Sequence, residues 1–282
     1  MNIAAKLFAI FLIFASLIGG FLMEGGSLVS LFHPSELVII LGMALGAWMA
    51  ATPVSVWGKT FMLLGRYFGS DRIGRELYRD TVGLIYDLAR LARSEGMLAL
   101  EMHLDDPESS PVFNEHPQVL KYPELTEFIT RNLAYILLNP SESEDYRALL
   151  QEQVERYMSL LSEVPRATGK VSDWLPGFGI VAAVLGVILA MGLLGGDMDV
   201  AKIGEAIGAA LVGTLTGVFF AFAIVGPFTH AVEVMIRQER GLFEAVADLL
   251  TAFYHGVSPR VLQEMGRQLI PPHLRDGDGD ED

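Results

Sequence analysis

The chain has 282 residues, 51% of them hydrophobic and 19% charged, with a positive mean hydropathy. A soluble domain is nearer about 25% charged, so the composition points to a membrane protein. A formal charge of -14, from 20 Lys+Arg against 34 Asp+Glu, excludes a nucleic-acid binder that needs clustered cations. The absence of cysteine excludes disulfides, thiolate nucleophiles and Cys-ligated metals.

Four stretches, residues 7–23, 37–58, 174–194 and 206–227, carry no charged side chain. Each suits a helix that needs roughly 20 residues to cross a hydrocarbon core of about 30 Å. The first resembles a secretory signal in following Lys6, but Gly19-Gly20 run on into apolar Phe21-Leu22-Met23, which argues against cleavage. Loop 24–33 has no Lys or Arg, and 195–202 has only Lys202, whereas Lys6, Lys59, Arg66, Arg72, Arg166, Lys170, Arg237 and Arg240 lie at the opposite ends. The excess of cations marks the cytoplasmic side. Both termini and the insert between the hairpins are therefore expected there.

The expected fold is an all-α membrane protein with four transmembrane helices in two hairpins. Residues 1–58 form the first hairpin, 59–173 a helical cytoplasmic domain, 174–227 the second hairpin and 228–270 C-terminal helices. Residues 271–282 form a disordered acidic tail. In the insert, Leu77, Leu84, Ile85, Leu88, Leu91 and Ala92 recur at helical steps, and Gly96 ends that helix. Turns are expected at Asp105-Asp106-Pro107 and Ser109-Ser110-Pro111. A second helix covers 124–138 before Pro140. A third, capped by Ser141-Glu142, runs to Val164 before Pro165. A further helix is expected over 228–255.

No phosphate-cradling loop, metal-ligand spacing or nucleophile elbow occurs, so no catalytic, cofactor or metal site is expected and the chain is not read as an enzyme. The acidic tail lacks the remaining ligands of a calcium loop. No ionisable side chain is expected at mid-depth: Glu36 and Glu205 sit at the outer starts of the second and fourth spans. A proton relay needs such a group within the bilayer, so a partner helix would have to bring it. Gly42/Gly46, Gly204/Gly208 and Gly213/Gly217 repeat a four-residue spacing that suits close helix packing, as does Ala182-Ala183. Pro176 and Pro227 frame the second hairpin, and both helix termination and a hinge remain open, the former favoured on physical grounds. Thr214 and Thr216 place hydroxyls in lipid, where they either bond back to the preceding turn or line a water path.

Three motifs carry a resemblance: W-L-P-G-F-G-I-V-A-A-V-L-G at 174–186, A-L-V-G-T-L-T-G-V at 210–218 and G-G-S-L-V-S-L-F-H-P-S-E-L at 25–37. They resemble the motility protein A (MotA) family of flagellar stators, in register from the first helix to about residue 270. The resemblance implies a homopentamer in the bacterial inner membrane around a MotB dimer, which supplies the ion-binding Asp and the peptidoglycan anchor. Ion flow then turns the ring against the rotor protein FliG. It also assigns Pro176 and Pro227 as hinge residues, Thr214 and Ala183 to the ion path, and Arg93 and Glu101, in A-R-S-E-G-M-L-A-L-E at 92–101, to rotor contact. Without it, Arg93 and Glu101 read as a solvated helical face. Sodium-type relatives carry Thr where Ala183 stands, so a proton-driven motor is implied; a desolvated Na⁺ would need that oxygen as a ligand. The alternative is an ExbB/TolQ-like proton-channel subunit that energises outer-membrane processes. A passive scaffold and a solute transporter are weaker readings, the latter for lack of an inverted repeat.

Overall fold

A computed structural model describes residues 3–69, 73–138, 146–193 and 200–275. The elements, in order, are α1 (Ile3–Met23), a 3-10 turn (Leu28–Leu31), α2 (Pro34–Ala51), α3 (Val54–Phe68) and α4 (Arg75–Glu95). A second 3-10 turn (Met97–Leu100) leads to α5 (Glu101–Asp105), α6 (Pro111–Asn114), α7 (Pro117–Leu120) and α8 (Pro123–Leu138). Then follow α9 (Tyr146–Leu193), α10 (Val200–Phe219), a π segment (Phe220–Val225), α11 (Gly226–Tyr254), α12 (Pro259–Leu269) and α13 (Pro272–Arg275). No strand occurs among the described residues. The expected cap at Ser141-Glu142, residues 195–199 of the outer loop and residues 276–282 of the expected tail lie outside them, whereas residues 200–202 of that loop open α10 and residues 272–275 of that tail form α13.

Among the described residues, four stretches are long and apolar enough to cross a membrane: Ile3–Met23, Leu28–Ala51, and windows within Tyr146–Gly192 and Val200–Tyr254. The second ends earlier than Gly58. Pro53 disfavours helical backbone at the residue before it, and Thr52 is extended at φ -125 and ψ 140. The Thr52 hydroxyl donates to the Trp48 carbonyl at 2.7 Å and accepts from Trp57 Nε1 at 3.0 Å, which fixes the corner leading into α3.

The described residues fall into two compact units, within Met1–Asp71 plus Leu161–Met235 and within Arg72–Leu160 plus Ile236–Asp282. In the first, Ile40 and Ala44 of α2 pack with Leu175, Ala182 and Ala221. Lys6 Nζ donates to the Tyr67 carbonyl at 2.7 Å, joining the start of α1 to the end of α3.

The second unit is organised by α4, whose buried Leu77, Leu84, Ile85 and Leu88 form the expected stripe. Helix α4 ends at Glu95 because Gly96 turns the chain at φ +94, a conformation that disfavours a Cβ. Helices α7 and α12 pack on α4. At the centre lies Glu239, 1% exposed, whose Oε1 accepts hydrogen bonds from the Tyr122 hydroxyl and, at 2.9 Å, the Tyr157 hydroxyl. Burial, and then the Glu239 carboxylate, push the Tyr157 phenol far above its ordinary pKa, so it remains a donor. Tyr157→Phe should cost about 2 kcal/mol, the scale of a hydrogen bond to a charged group. Thermal unfolding of the purified chain in detergent checks this, with a lowered midpoint expected.

Candidate functional site

Helices α9 and α10 meet through small residues. On α9 the buried positions are Leu175, Gly179, Ala182, Gly186 and Ala190; on α10 they are Ala206, Ala210, Gly213 and Gly217. A Cβ on Gly179 would lie 2.9 Å from the Gly213 carbonyl oxygen, and one on Gly217 would lie 2.6 Å from that of Leu175. Backbone meets backbone, as close approach of membrane helices requires. Of the three expected glycine pairs, only Gly213/Gly217 lies in this seam. Gly42, Gly46, Gly204 and Gly208 face open space within the chain. Gly179 and Gly186, seven residues apart, do the corresponding work on α9, and a four-residue pattern does not detect them.

Neither Pro165 nor Pro176 interrupts the helix, contrary to the expected stop before Pro165 and start at Pro176. Both lie inside α9. A continuous buried stripe, Leu161, Val164, Thr168, Leu175, Gly179 and Ala182, spans both prolines, and its packing outweighs the local penalty. Pro176 has no N–H to give the Ser172 carbonyl one turn back. The hydroxyl of the same Ser172 donates to the Ala221 carbonyl at 2.8 Å.

Ala221 belongs to the π segment immediately before Pro227. The Gly226 N–H reaches back five residues to the same carbonyl. In a regular ladder the Pro227 ring would collide with the carbonyl of Ala223, four residues back, and the wider turn relieves this. Pro227 therefore widens the helix rather than ending it. Ser172 thus bridges the two proline discontinuities. Pro176 is half-buried and Pro227 exposed. Thr168 lies one turn before Ser172 and Thr229 two residues beyond Pro227, and the buried Thr229 hydroxyl donates to that of buried Thr168 at 2.8 Å.

Thr214 and Ala183 are both half-buried, each one residue beyond a seam residue, Gly213 and Ala182. They flank the contact rather than fill it. Thr214 Cα lies 3.3 Å from where a Cβ on Gly179 would stand.

Glu36, in the first turn of α2, is 5% exposed, and its Oε2 lies 2.7 Å from the Cβ position of Gly213. Gly213 stands seven residues beyond Ala206, roughly 10 Å into the fourth apolar stretch at 1.5 Å per residue. Glu36 thus opens α2, as expected, and its carboxyl packs against Gly213 of α10. The sequence shows where a residue lies on its own helix but not the offset between helices, and the first turn of α2 lies beside Gly213 of α10.

In the other unit, Arg93 closes α4 and Glu101 opens α5, both exposed on either side of the Gly96 turn. Neither has an ion-pair partner among the described residues. Between and beside them, Leu98 and Met102 are 78% and 71% exposed. Periodicity did not single these two out; two apolar side chains within a charged surface turn were the available signal.

The family description "Motility protein A N-terminal" matches residues 7–96, and "MotA/TolQ/ExbB proton channel family" matches 123–245. The chain is 30% identical over 258 residues to "Motility protein A" of Escherichia coli strain K12, covering 92% of this chain and 87% of that protein. It is 30% identical over 265 residues to "Chemotaxis protein LafT" of Vibrio parahaemolyticus, with 94% and 92% covered. Its fold is similar to the flagellar MotAB stator complex structure from Bacillus subtilis, with a TM-score of 0.75 at 24% identity and coverage of 98% and 100%. Full-length similarity at this level, together with the helical hairpins and the glycine seam, establishes that the chain is a membrane protein belonging to the motility protein A family.

Proposed function

We propose that the chain is a stator subunit of a flagellar motor. In this reading it forms a homopentamer in the inner membrane, with both termini cytoplasmic, around a MotB dimer that supplies the ion-binding Asp. Proton flow past Thr214 and Ala183 drives torque on the rotor protein FliG through Arg93 and Glu101. The observation that carries the reading is the α9–α10 seam, where both prolines sit in continuous helices and Ser172 links them. Such a construction lets a change at mid-membrane bend two long helices at once, because each proline removes one rung of the ladder. The exposed group of Arg93, Glu101, Leu98 and Met102 supports the rotor contact, since charge steers partners and buried apolar contacts hold them. The ExbB/TolQ-like alternative draws on the broader family description over 123–245, but the separate match over 7–96 favours the motor.

Two experiments test this. In a strain whose swimming depends on this protein, Arg93→Glu and Glu101→Lys should each cut torque severely while the protein still reaches the membrane. Normal swimming in both variants would remove the rotor-contact role. Replacing sodium with potassium in the medium should leave swimming speed unchanged, because Ala183 offers no oxygen to a desolvated cation; a sodium requirement would sink the proton assignment.

A further inference from the structure

Glu36 is the group that the proposed mechanism leaves unused. It holds the third position of α2, where a carboxylate ordinarily reaches back to the N–H of the capping residue. Here Oε2 turns instead toward Gly213, is buried, and has no hydrogen-bond partner. Gly213 makes room for it: a methyl group there would come within 2.7 Å of Oε2 and 3.2 Å of Ala182 Cβ. The adjacent residue along α10 is Thr214. His33, the residue capping α2, also has a buried nitrogen, Nδ1, without a partner. Two unsatisfied polar atoms thus lie within one turn of chain, at the edge of an apolar seam. Buried polar groups are otherwise almost always bonded, and ionisable ones within a membrane are functional by default.

The surroundings offer no competing explanation in charge pairing. Among the described residues, Gly179 and Ala182 of α9 approach Gly213, and α10 carries no ionisable side chain between Ala206 and Phe219. Lys202 and Glu205, at the start of α10, are exposed and lie eleven and eight residues from Gly213, which at 1.5 Å per residue is roughly 12 Å or more along the axis. The 3-10 turn Leu28–Leu31, which packs beside α10, has no charge. His33 is the one titratable neighbour on the same element.

We propose that Glu36 is a proton-holding site on the outward side of the seam, which takes protons by way of His33 and delivers them to the Thr214 turn. The ligand is the proton itself. The site rests on the stator reading and deepens it: this chain contributes a carboxyl of its own to the path, upstream of the one that a partner is required to bring. Its role is to keep protons supplied where they are scarce, so the site matters most at high external pH and is not needed for rotation as such.

The test uses the full chain in its native membrane. Dicyclohexylcarbodiimide, an apolar reagent that modifies protonated carboxyl groups, should label Glu36 of the parental protein, as read by mass spectrometry of its peptides. No adduct on Glu36 would overturn the proposal, whatever the variants do. In cells, Glu36→Gln should swim close to parental speed at an external pH of about 6 and several-fold slower at about 8, where protons are about a hundredfold scarcer. Glu36→Asp should recover much of the loss. A Glu36→Gln profile that overlays the parental one would overturn the site, as would Glu36→Asp failing as badly as Glu36→Gln at equal protein level, since that marks a packing role. A failure of the underlying reading is separable: deletion of the chain would then leave flagellar rotation intact at every pH.

Discussion

Gly217→Ala is expected to abolish motility and to lower the amount of folded protein in the membrane. Its Cβ would lie 2.6 Å from the Leu175 carbonyl oxygen, 2.9 Å from Gly179 Cα and 3.1 Å from Gly179 N. All three are backbone atoms, so no side chain can rotate away, and the two helices must separate along the whole seam. Overpacking a core ordinarily costs about 1–3 kcal/mol; a backbone-to-backbone clash belongs at or above the top of that range. Gly208→Ala is the matched control. Its Cβ meets open space within the chain, and replacing Gly by Ala in a helix favours the helix by up to about 1 kcal/mol. Immunoblots of membrane fractions and the midpoint of detergent unfolding distinguish the two. Equal levels and equal midpoints for both variants would mean that the seam does not hold the hairpin.

Pro176→Ala is expected to raise stability and reduce function, an opposition that ordinary structural damage does not produce. The alanine restores the N–H that the Ser172 carbonyl lacks and removes a helix-interior proline, whose penalty relative to Ala is about 3 kcal/mol. The protein should therefore be as abundant as the parent and unfold at a higher temperature, while swimming falls to a small fraction. Ser172→Ala should weaken swimming as well, by releasing the Ala221 carbonyl from its 2.8 Å bond, at a cost of about 1 kcal/mol in stability. The pair separates rigidity from damage: one variant stiffens the helix, the other loosens its attachment to the π segment. Unchanged swimming speed in Pro176→Ala would reduce Pro176 to a tolerated irregularity.

What could be read in the sequence was whatever depends on composition along one chain. The uncharged stretches gave four spans because crossing an apolar layer demands about 20 such residues whatever surrounds them. The stripe from Leu77 to Leu88, ended by Gly96, gave α4 because a 3.6-residue period and a glycine at φ +94 are local matters. The motifs around Pro176 and Thr214 pointed to the family, and the similarity over most of the chain agrees with them. The rest depended on which residues meet. Pro165 and Pro176 looked like helix ends because propensity favours that, and packing of one continuous stripe decided otherwise. The four-residue glycine spacing marked three pairs alike, and only the partner helix selects Gly213 and Gly217.

Ser172 carried no signal, since its importance lies in a bond to a carbonyl 49 residues away. The contact of Glu36 with Gly213 carried no signal for the same reason. The sequence by itself determined the spans, the first insert helix and the family, all properties of single segments. The tertiary structure decided the seam, the link between the prolines and the packing of the Glu36 carboxyl against Gly213, because each depends on how far one helix slides along another.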